Sequence, residues 1–507
     1  MFIRRKKNRS GSVSIQIIQK IGRINKVVKS VGVGRTEREL ELLENIARFE
    51  LEKIQRQPSL FIEQEDVLID SFMSTLHNED IVLQGPELVF GRLFDKIGYQ
   101  ESLKDTKYLK ALVVSRIVMP GSKLRTVDYL KRHEKIDVGV HAIYKYMNKL
   151  TEEVTDHIQQ ITFAHTKRIM KSKIGLIFYD MTTLYFEAER EDELRIIGYS
   201  KDGKHQHPQI MIGLLVSSNG YPIAYQIFKG NTAETKTLIP SIESICSKYK
   251  IPKPIIVADA ALLSNKNIAA LKEKDFEYIL AGRIKSEKEA LRQQILQAEI
   301  KENKPQEFNT QRGRLVVSFS AKRQNKDAFN RKRGLSKLEK KVASGKLTKE
   351  SINNRGYNKY LKLEGETKVT IDYAKYEDDA KWDGLKGYNT NTKLKPAEVI
   401  NAYGNLWVVE KAFRISKSDL RFRPIYHRKP TRIEAHISIC FMAYTIYKEL
   451  ERLLQINKSD ISIESAIIEI NDIMQISYIL PKTRIKKEIL LQLSENKTEI
   501  LKIVQKS

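Results

Sequence analysis

Ile174-Gly175-Leu176-Ile177-Phe178-Tyr179-Asp180 and Pro254-Ile255-Ile256-Val257-Ala258-Asp259 are short, nearly continuous apolar runs, each closed by an aspartate. Apolar runs of this length without polar alternation mark strands buried on both faces. Between them, Gln209–Ser217 and residues 221–228 read as two more strands, joined through Asn219-Gly220, a strong hairpin turn signal. Residues 234–249 and 265–274 read as helices and 278–281 as a last strand. Three antiparallel strands followed by a right-handed crossover set the fourth strand parallel to the first. If those two are neighbours, about 4.8 Å apart, Asp180 and Asp259 emerge side by side where open α/β sheets hold their ligands. Such a pair either binds a metal or caps the helices that follow.

Outward from this α/β centre, composition narrows the function. The 507 residues carry 89 Lys and Arg against 63 Asp and Glu, a formal net charge of +26, which points to a polyanionic partner such as nucleic acid. The apolar share of 41% can build buried cores. Two cysteines, Cys246 and Cys440, exclude a disulfide framework and a four-thiolate zinc site, and fit a reducing compartment. No uninterrupted apolar stretch approaches a membrane span, and no apolar core follows the basic residues 2–7, so neither a membrane anchor nor a signal peptide is expected.

Five regions are expected. Residues 1–85 hold a hairpin (alternation over 13–33 about Gly22) and helices, with helical periodicity over 36–57. Residues 86–172 are helical, broken at Met119-Pro120-Gly121-Ser122. Lys123, Arg125, Lys131 and Arg132 make this region either a DNA-recognition element or a set of solvated helix faces. Residues 173–285 and 396–450 form the core, and 451–507 a helical tail. Residues 286–395 break the pattern: between Arg312 and Lys341 stand eleven Lys and Arg but only Asp327 and Glu339 as acids. Strand-like pieces at 315–319 and 369–373 flank that run, suggesting a strand-rich insertion with a basic arm. Arg331, Lys332 and Arg333 are its expected DNA contacts, and the arm is expected to be mobile without DNA. Trp382, in a polar turn of the insertion, is a candidate for stacking on an unpaired base.

A third acid comes from residues 397–418, a helical stretch opened by Pro396 and interrupted only by Gly404. Tyr403, Glu410 and Lys417 are seven residues apart, two turns each, and so share one stripe. A ring, a carboxylate and an ammonium on one stripe can hold a metal and grip phosphates. Trp407 is expected in the core beneath this helix.

These residues carry a resemblance. The matching stretches are Tyr179-Asp180-Met181-Thr182-Thr183-Leu184-Tyr185-Phe186-Glu187, Gly198-Tyr199-Ser200-Lys201-Asp202, Phe228-Lys229-Gly230-Asn231-Thr232 and Val257-Ala258-Asp259-Ala260. They continue through residues 403–414 and Leu420-Arg421-Phe422-Arg423-Pro424-Ile425-Tyr426-His427. In this order, over about residues 170–445, the chain resembles a DDE transposase of a prokaryotic insertion sequence. More narrowly, it resembles the group whose ribonuclease H-like core is split by a strand-rich insertion. The resemblance implies a catalytic triad of Asp180, Asp259 and Glu410, phosphate contacts by Tyr403 and Lys417, and double-stranded DNA as partner, both transposon terminal inverted repeats and target. It also implies a dimer in the synaptic complex and a cytoplasmic, nucleoid-associated place in a prokaryotic cell.

One position departs. The group's signature places an arginine between the tyrosine and the glutamate, where this chain has Leu406. Either Arg414 or another base takes over the phosphate contact, or the branch does without it, or the copy has decayed. Three carboxylates are hard oxygen ligands suited to Mg²⁺ or Mn²⁺. Two such ions support in-line phosphodiester cleavage and joining of the freed 3′-end. The rivals are a nuclease of the same fold that cuts without joining, and a catalytically inactive DNA-binding derivative.

Overall fold

The computed structural model describes the chain apart from residues 56–63, 172–173, 188–189, 201–202, 260–261, 263, 346, 354–355, 366–367 and 481–482 and the side chains of 53, 55 and 64–68. Two compact units divide it. One comprises Met1–Arg92, Arg125–Gly139 and Leu453–Ser507; the other comprises Leu93–Leu124 and Val140–Arg452.

The second unit is built on an eight-stranded mixed sheet. Its strands are β1 (Leu176–Tyr185), β2 (Gln209–Ser217), β3 (Pro222–Lys229), β4 (Ile255–Ala258), β5 (Tyr278–Gly282), β6 (Gln306–Thr310), β7 (Gly313–Phe319) and β8 (Leu385–Thr390). They lie in the order β6-β7-β8-β5-β4-β1-β2-β3. In the half β3-β2-β1-β4-β5, the first three chain-order strands are antiparallel, and β4 and β5 run parallel to β1. This is the ribonuclease H-like arrangement expected from the sequence. The Asn219-Gly220 turn forms as read: Gly220 takes φ +77°, and the Ser217 amide donates to the Tyr221 carbonyl at 2.8 Å.

The expected strand end at Asp180 is corrected. β1 runs on to Tyr185, paired with β2 throughout, but its pairing with β4 stops at Phe178 opposite Val257. Asp180 thus sits where β1 has lost one neighbour and kept the other. On one face, Ile177, Tyr179, Met181, Ile256 and Ala258 pack under α1 (Leu238–Tyr249) and α2 (Asn265–Glu273) through Leu238, Ile242, Ile268 and Leu271. Strand alternation sends Phe178, Asp180 and Thr182 to the opposite face.

The insertion is woven into this sheet. β8 pairs with β5 (Tyr388 opposite Ala281) and with β7 (Lys386 opposite Ser318), and β6 closes the edge. A separate hairpin joins Leu361–Glu364 to Lys368–Ile371. The basic run is no unanchored arm but a 23-residue helix, α3 (Ala321–Ala343). Leu338 seats it in a small core with Tyr360, Leu361, Ile371 and Tyr376, and a side chain at Gly334 would run into Tyr357. Two expectations fall here. Arg331 is not available to DNA: its guanidinium pairs with Asp383 at 2.6 Å and lies 4.8 Å from the centre of the Tyr376 ring. Lys332 and Arg333 are exposed. Trp382 is 3% exposed, packed with Ile284, Ile295, Leu315 and Val317, so it cannot stack on a base.

In the first unit, Phe2–Lys7, Val13–Ile21 and Ile24–Gly34 form an antiparallel sheet on the helix Glu37–Gln55, closed by Ile15, Ile17, Leu40, Leu43 and Ala47. The outer strand Phe2–Lys7 escaped the sequence reading because Arg4-Arg5-Lys6-Lys7 shows no apolar alternation; Arg5 instead pairs with Glu37 and Glu44 of the helix. The expected helical tail is also corrected. Met474–Ile479 pairs with Lys486–Leu490 and with Ile81–Leu83, ahead of the helix Glu495–Lys506. Every residue of Lys486–Leu490 is exposed, so neither face needed an apolar periodicity that could be read. Of the cations noted in the helical region, Arg125, Lys131 and Arg132 are exposed. Lys123 is buried, and burial beside Arg116 pushes its pKa down to about 7. Among the described residues, no helix is long and apolar enough to cross a membrane.

Candidate active site

The two aspartates are set by register. Residues paired across parallel strands face the same side of a sheet. Phe178 lies opposite Val257, so Asp180 and Asp259 follow in step, two residues further on, away from the α1/α2 core. The Asp180 carboxylate accepts the Met181 amide at 2.7 Å.

The third acid arrives on a broken helix. The predicted continuous stripe is two helices, α4 (Pro396–Gly404) and α5 (Trp407–Arg414), followed by a π-helical turn at Ile415–Asp419. At the joint the hydrogen bonds tighten: the amides of Val408 and Val409 donate to the carbonyls of Asn405 and Leu406, three residues back. Glu410 is exposed in the first turn of α5, where the helix dipole favours a carboxylate. Despite the joint, Glu410 still acts electrostatically on Tyr403. Tyr403 is buried, its ring edge-on to Tyr388 at 5.1 Å between centres. Its hydroxyl pKa is pushed up by burial and then by the charges of Asp259, Glu410 and Asp180. All three predicted acids therefore bear on one phenol.

Among the described residues, no three carboxylate, imidazole or thiolate groups are gathered into a ready-made metal cage. The donor set nevertheless fits a hard divalent cation: three carboxylates supply only oxygen. Lys417 reaches the Asp180 face, lining a small cavity with Thr182, Leu184, Phe413 and Phe422. Arg414 is exposed at the end of α5.

Positions 406 and 407 exchange the expected roles. Leu406 is 6% exposed and Trp407 is 55% exposed, so Trp407 faces solvent and Leu406 occupies the core. The joint between α4 and α5 turns Leu406 inward with Val409 and Ala412, leaving Trp407 and Glu410 outward. Introducing the arginine of the resembled group is therefore expected to damage the protein: Leu406→Arg should cost about 1–3 kcal/mol through overpacking alone. A thermal melt reads this, and a variant as stable as the parent with faster DNA cleavage would contradict it.

Sequence reasoning missed Lys386. β8 brings it beside the site with its Nζ 4.3 Å from the centre of the Tyr403 ring and 5.4 Å from that of Tyr388. Its pKa is lowered by burial and by Arg323, and raised in part by Glu410. Its sequence surroundings could not have marked it, because the ring nearest its ammonium, that of Tyr403, comes from α4.

Two of the motif stretches serve the frame. Gln209 donates through Nε2 to the carbonyls of Tyr199 (3.1 Å) and Gly230 (2.9 Å), clasping Gly198-Tyr199 to Lys229-Gly230. A Cβ on Gly198 would come within 2.3 Å of the Gly230 carbonyl oxygen, so glycine is required there. Lys201, Asp202 and Ala260 of the motifs lie outside the described residues.

Among solved structures, a piggyBac transposase synaptic complex with hairpin DNA is similar at 9% identity and a TM-score of 0.37, covering 77% of this chain and 79% of that one. A Mos1 transposase paired-end complex with the left transposon end is similar at 12% identity and a TM-score of 0.16, covering 48% and 77%. No curated protein matches the chain. The model of the transposase DDE domain family matches residues 171–446, which is more than half of the chain and takes in Asp180, Asp259 and Glu410. The chain belongs to the DDE transposase family.

Proposed function

We propose that this transposase binds the inverted repeats at the ends of its element, hydrolyses the phosphodiester bond there and joins the freed 3′-ends to target DNA. The observation that supports the proposal is the register that sets Asp180 and Asp259 in step on one face of the sheet, with Glu410 acting electrostatically on the same Tyr403 phenol as both of them. In this reading the three carboxylates hold Mg²⁺ or Mn²⁺, two ions in all. When bound, the ions would supply charge that activates the attacking oxygen and stabilises the leaving one. Tyr403, a phenol and so protonated at neutral pH, donates a hydrogen bond to a phosphate oxygen. Lys417 neutralises phosphate charge on the Asp180 face, and Arg414 does so at the exposed end of α5. Each end takes one copy of the chain, making a dimer of the synaptic complex, and the work is done at the nucleoid of a prokaryotic cell.

The test uses duplexes carrying the inverted repeats that flank the gene, a target plasmid and Mg²⁺ or Mn²⁺. Nicked ends and a joined product are expected. Nicking without joining would make the protein a nuclease, and binding without nicking in either metal would make it an inactive derivative.

DNA affinity is assigned to the exposed face of α3. Reversing Lys332, Arg333 and Lys337 to glutamate should weaken end binding at roughly 100 mM salt, with the defect shrinking as salt rises, because each phosphate contact contributes about 0.9 to the salt slope. Arg331→Glu should instead lower the melting temperature, since it sets a carboxylate against Asp383. Anisotropy titrations and melts separate the two, and equal DNA binding by triple variant and parent would return α3 to a solvated surface.

A further inference from the structure

We propose that Lys386, carried into the site by the insertion, binds a non-bridging oxygen of the DNA phosphate held beside Tyr403 and Glu410. The inference rests on the DDE reading and extends it to a residue outside the core.

Three observations lead there. The first is placement. Lys386 stands on β8, a strand between β5 and β7 in the interior of the sheet, and is itself paired with Ser318 of β7, one residue before the β5 pairing begins at Gly387. Alternation along β8 turns Gly387 toward Ile284 and Leu315, and turns Lys386 and Tyr388 to the side where Tyr403 packs.

The second is how the ammonium is held. Two aromatic faces, Tyr403 at 4.3 Å and Tyr388 at 5.4 Å, cradle it. Cation–π contacts position an ammonium without taking up its hydrogen-bond donors. A lysine held this way keeps N–H groups for an anionic ligand.

The third is the balance of charge. Asp180, Asp259 and Glu410 concentrate negative charge where a phosphate must enter, and the two cations assigned to phosphate on this segment, Arg414 and Lys417, stand at and beyond the far end of α5. Position 406 is a buried leucine, and Lys411 is paired with Glu451 at 2.7 Å. Lys386 meets that need from another element. Arg323, exposed in the first turn of α3, acts electrostatically on both Lys386 and Tyr388. Arg323 is itself paired with Asp327 at 3.4 Å, and it links the basic helix to this lysine through electrostatics alone. This gives the insertion a second role: besides extending the sheet, it completes the site.

The experiment measures single-turnover end cleavage and end affinity for the full chain and for Lys386→Met, Lys386→Gln and Lys386→Arg. The duplexes carry one neutral methylphosphonate at each of the phosphates around the cleavage point in turn. Lys386→Met keeps the stem that packs between the rings and removes the charge. It should slow cleavage by roughly 10- to 100-fold, the worth of one charge-assisted hydrogen bond, while Lys386→Arg retains most activity. At one phosphate, the methylphosphonate should weaken binding by the parent and by Lys386→Arg, with no further loss for Lys386→Met or Lys386→Gln. A purely structural lysine would not produce that single-position coupling. Parent-like cleavage by Lys386→Met, or independent losses at every phosphate, would overturn the inference. If the parent fails to cleave, or Asp259→Asn cleaves as the parent does, the DDE reading fails instead, and the binding cycle still decides whether Lys386 meets a phosphate.

Discussion

Asp180→Asn, Asp259→Asn and Glu410→Gln should each reduce end cleavage by about 10³-fold or more, while leaving the affinity for uncleaved ends within about twofold of the parent. The amides preserve shape and hydrogen-bonding capacity but remove the charge that a hard divalent cation requires. The substitutions are also mild for the fold: Asp180 sits on a β1 segment paired on one side only, and Glu410 is exposed. Cleavage and gel-shift assays on the same preparations separate chemistry from binding. Normal cleavage by Asp259→Asn would sink the triad. A matched loss of binding and cleavage would instead show that these carboxylates organise the DNA surface.

The second large effect concerns stability. Glu449 is buried on the long helix Pro430–Ile456 and is met from three elements. Arg452 donates two hydrogen bonds to it at 2.6 and 3.0 Å, the Tyr221 hydroxyl donates at 2.7 Å, and His165 lies at 3.4 Å. These partners outweigh desolvation and hold its pKa down to about 2. Glu449→Ala should cost about 3–5 kcal/mol, because the buried partners lose their counter-charge. The sign of the pH effect follows from a lowered folded pKa. The stabilisation is complete above the unfolded carboxylate value of about 4.5, and is lost as pH falls through the folded value of about 2. Denaturation of parent and variant should therefore differ by a constant amount between pH 5 and 8 and converge in acid. A variant as stable as the parent at pH 7 would refute the network, and a gap that widened in acid would refute its sign.

How far the candidate site could be proposed from sequence differs residue by residue. Asp180 and Asp259 stood out as candidates because each closes a nearly unbroken apolar run, and burial on both faces leaves that trace in sequence. Glu410 was legible through its spacing from Tyr403, although the continuous helix behind that argument breaks at Asn405-Leu406. The expectation for Trp407 failed for the same reason: the joint changes which residue of the pair points inward. Arg331 and Trp382 show the limit of reading charge and aromaticity by type. One is tied to Asp383, fifty-two positions away, and the other packs against strands and helices across the insertion.

By itself, then, the sequence determined the local identities: which apolar runs are the central strands of the core sheet, which turn closes the β2–β3 hairpin, which three acids recur in family order, and that the chain carries a large positive charge. These depend on neighbours within a few residues, where periodicity and backbone preference act. Only the tertiary structure decided that β8 enters the core sheet, that the basic run is a packed helix, that Leu406 is buried, and that Lys386 stands beside Tyr403. Each of these is a contact between residues far apart in the chain. Their free energy comes from surfaces and charges that meet only once the sheet has closed, and no short-range pattern records them.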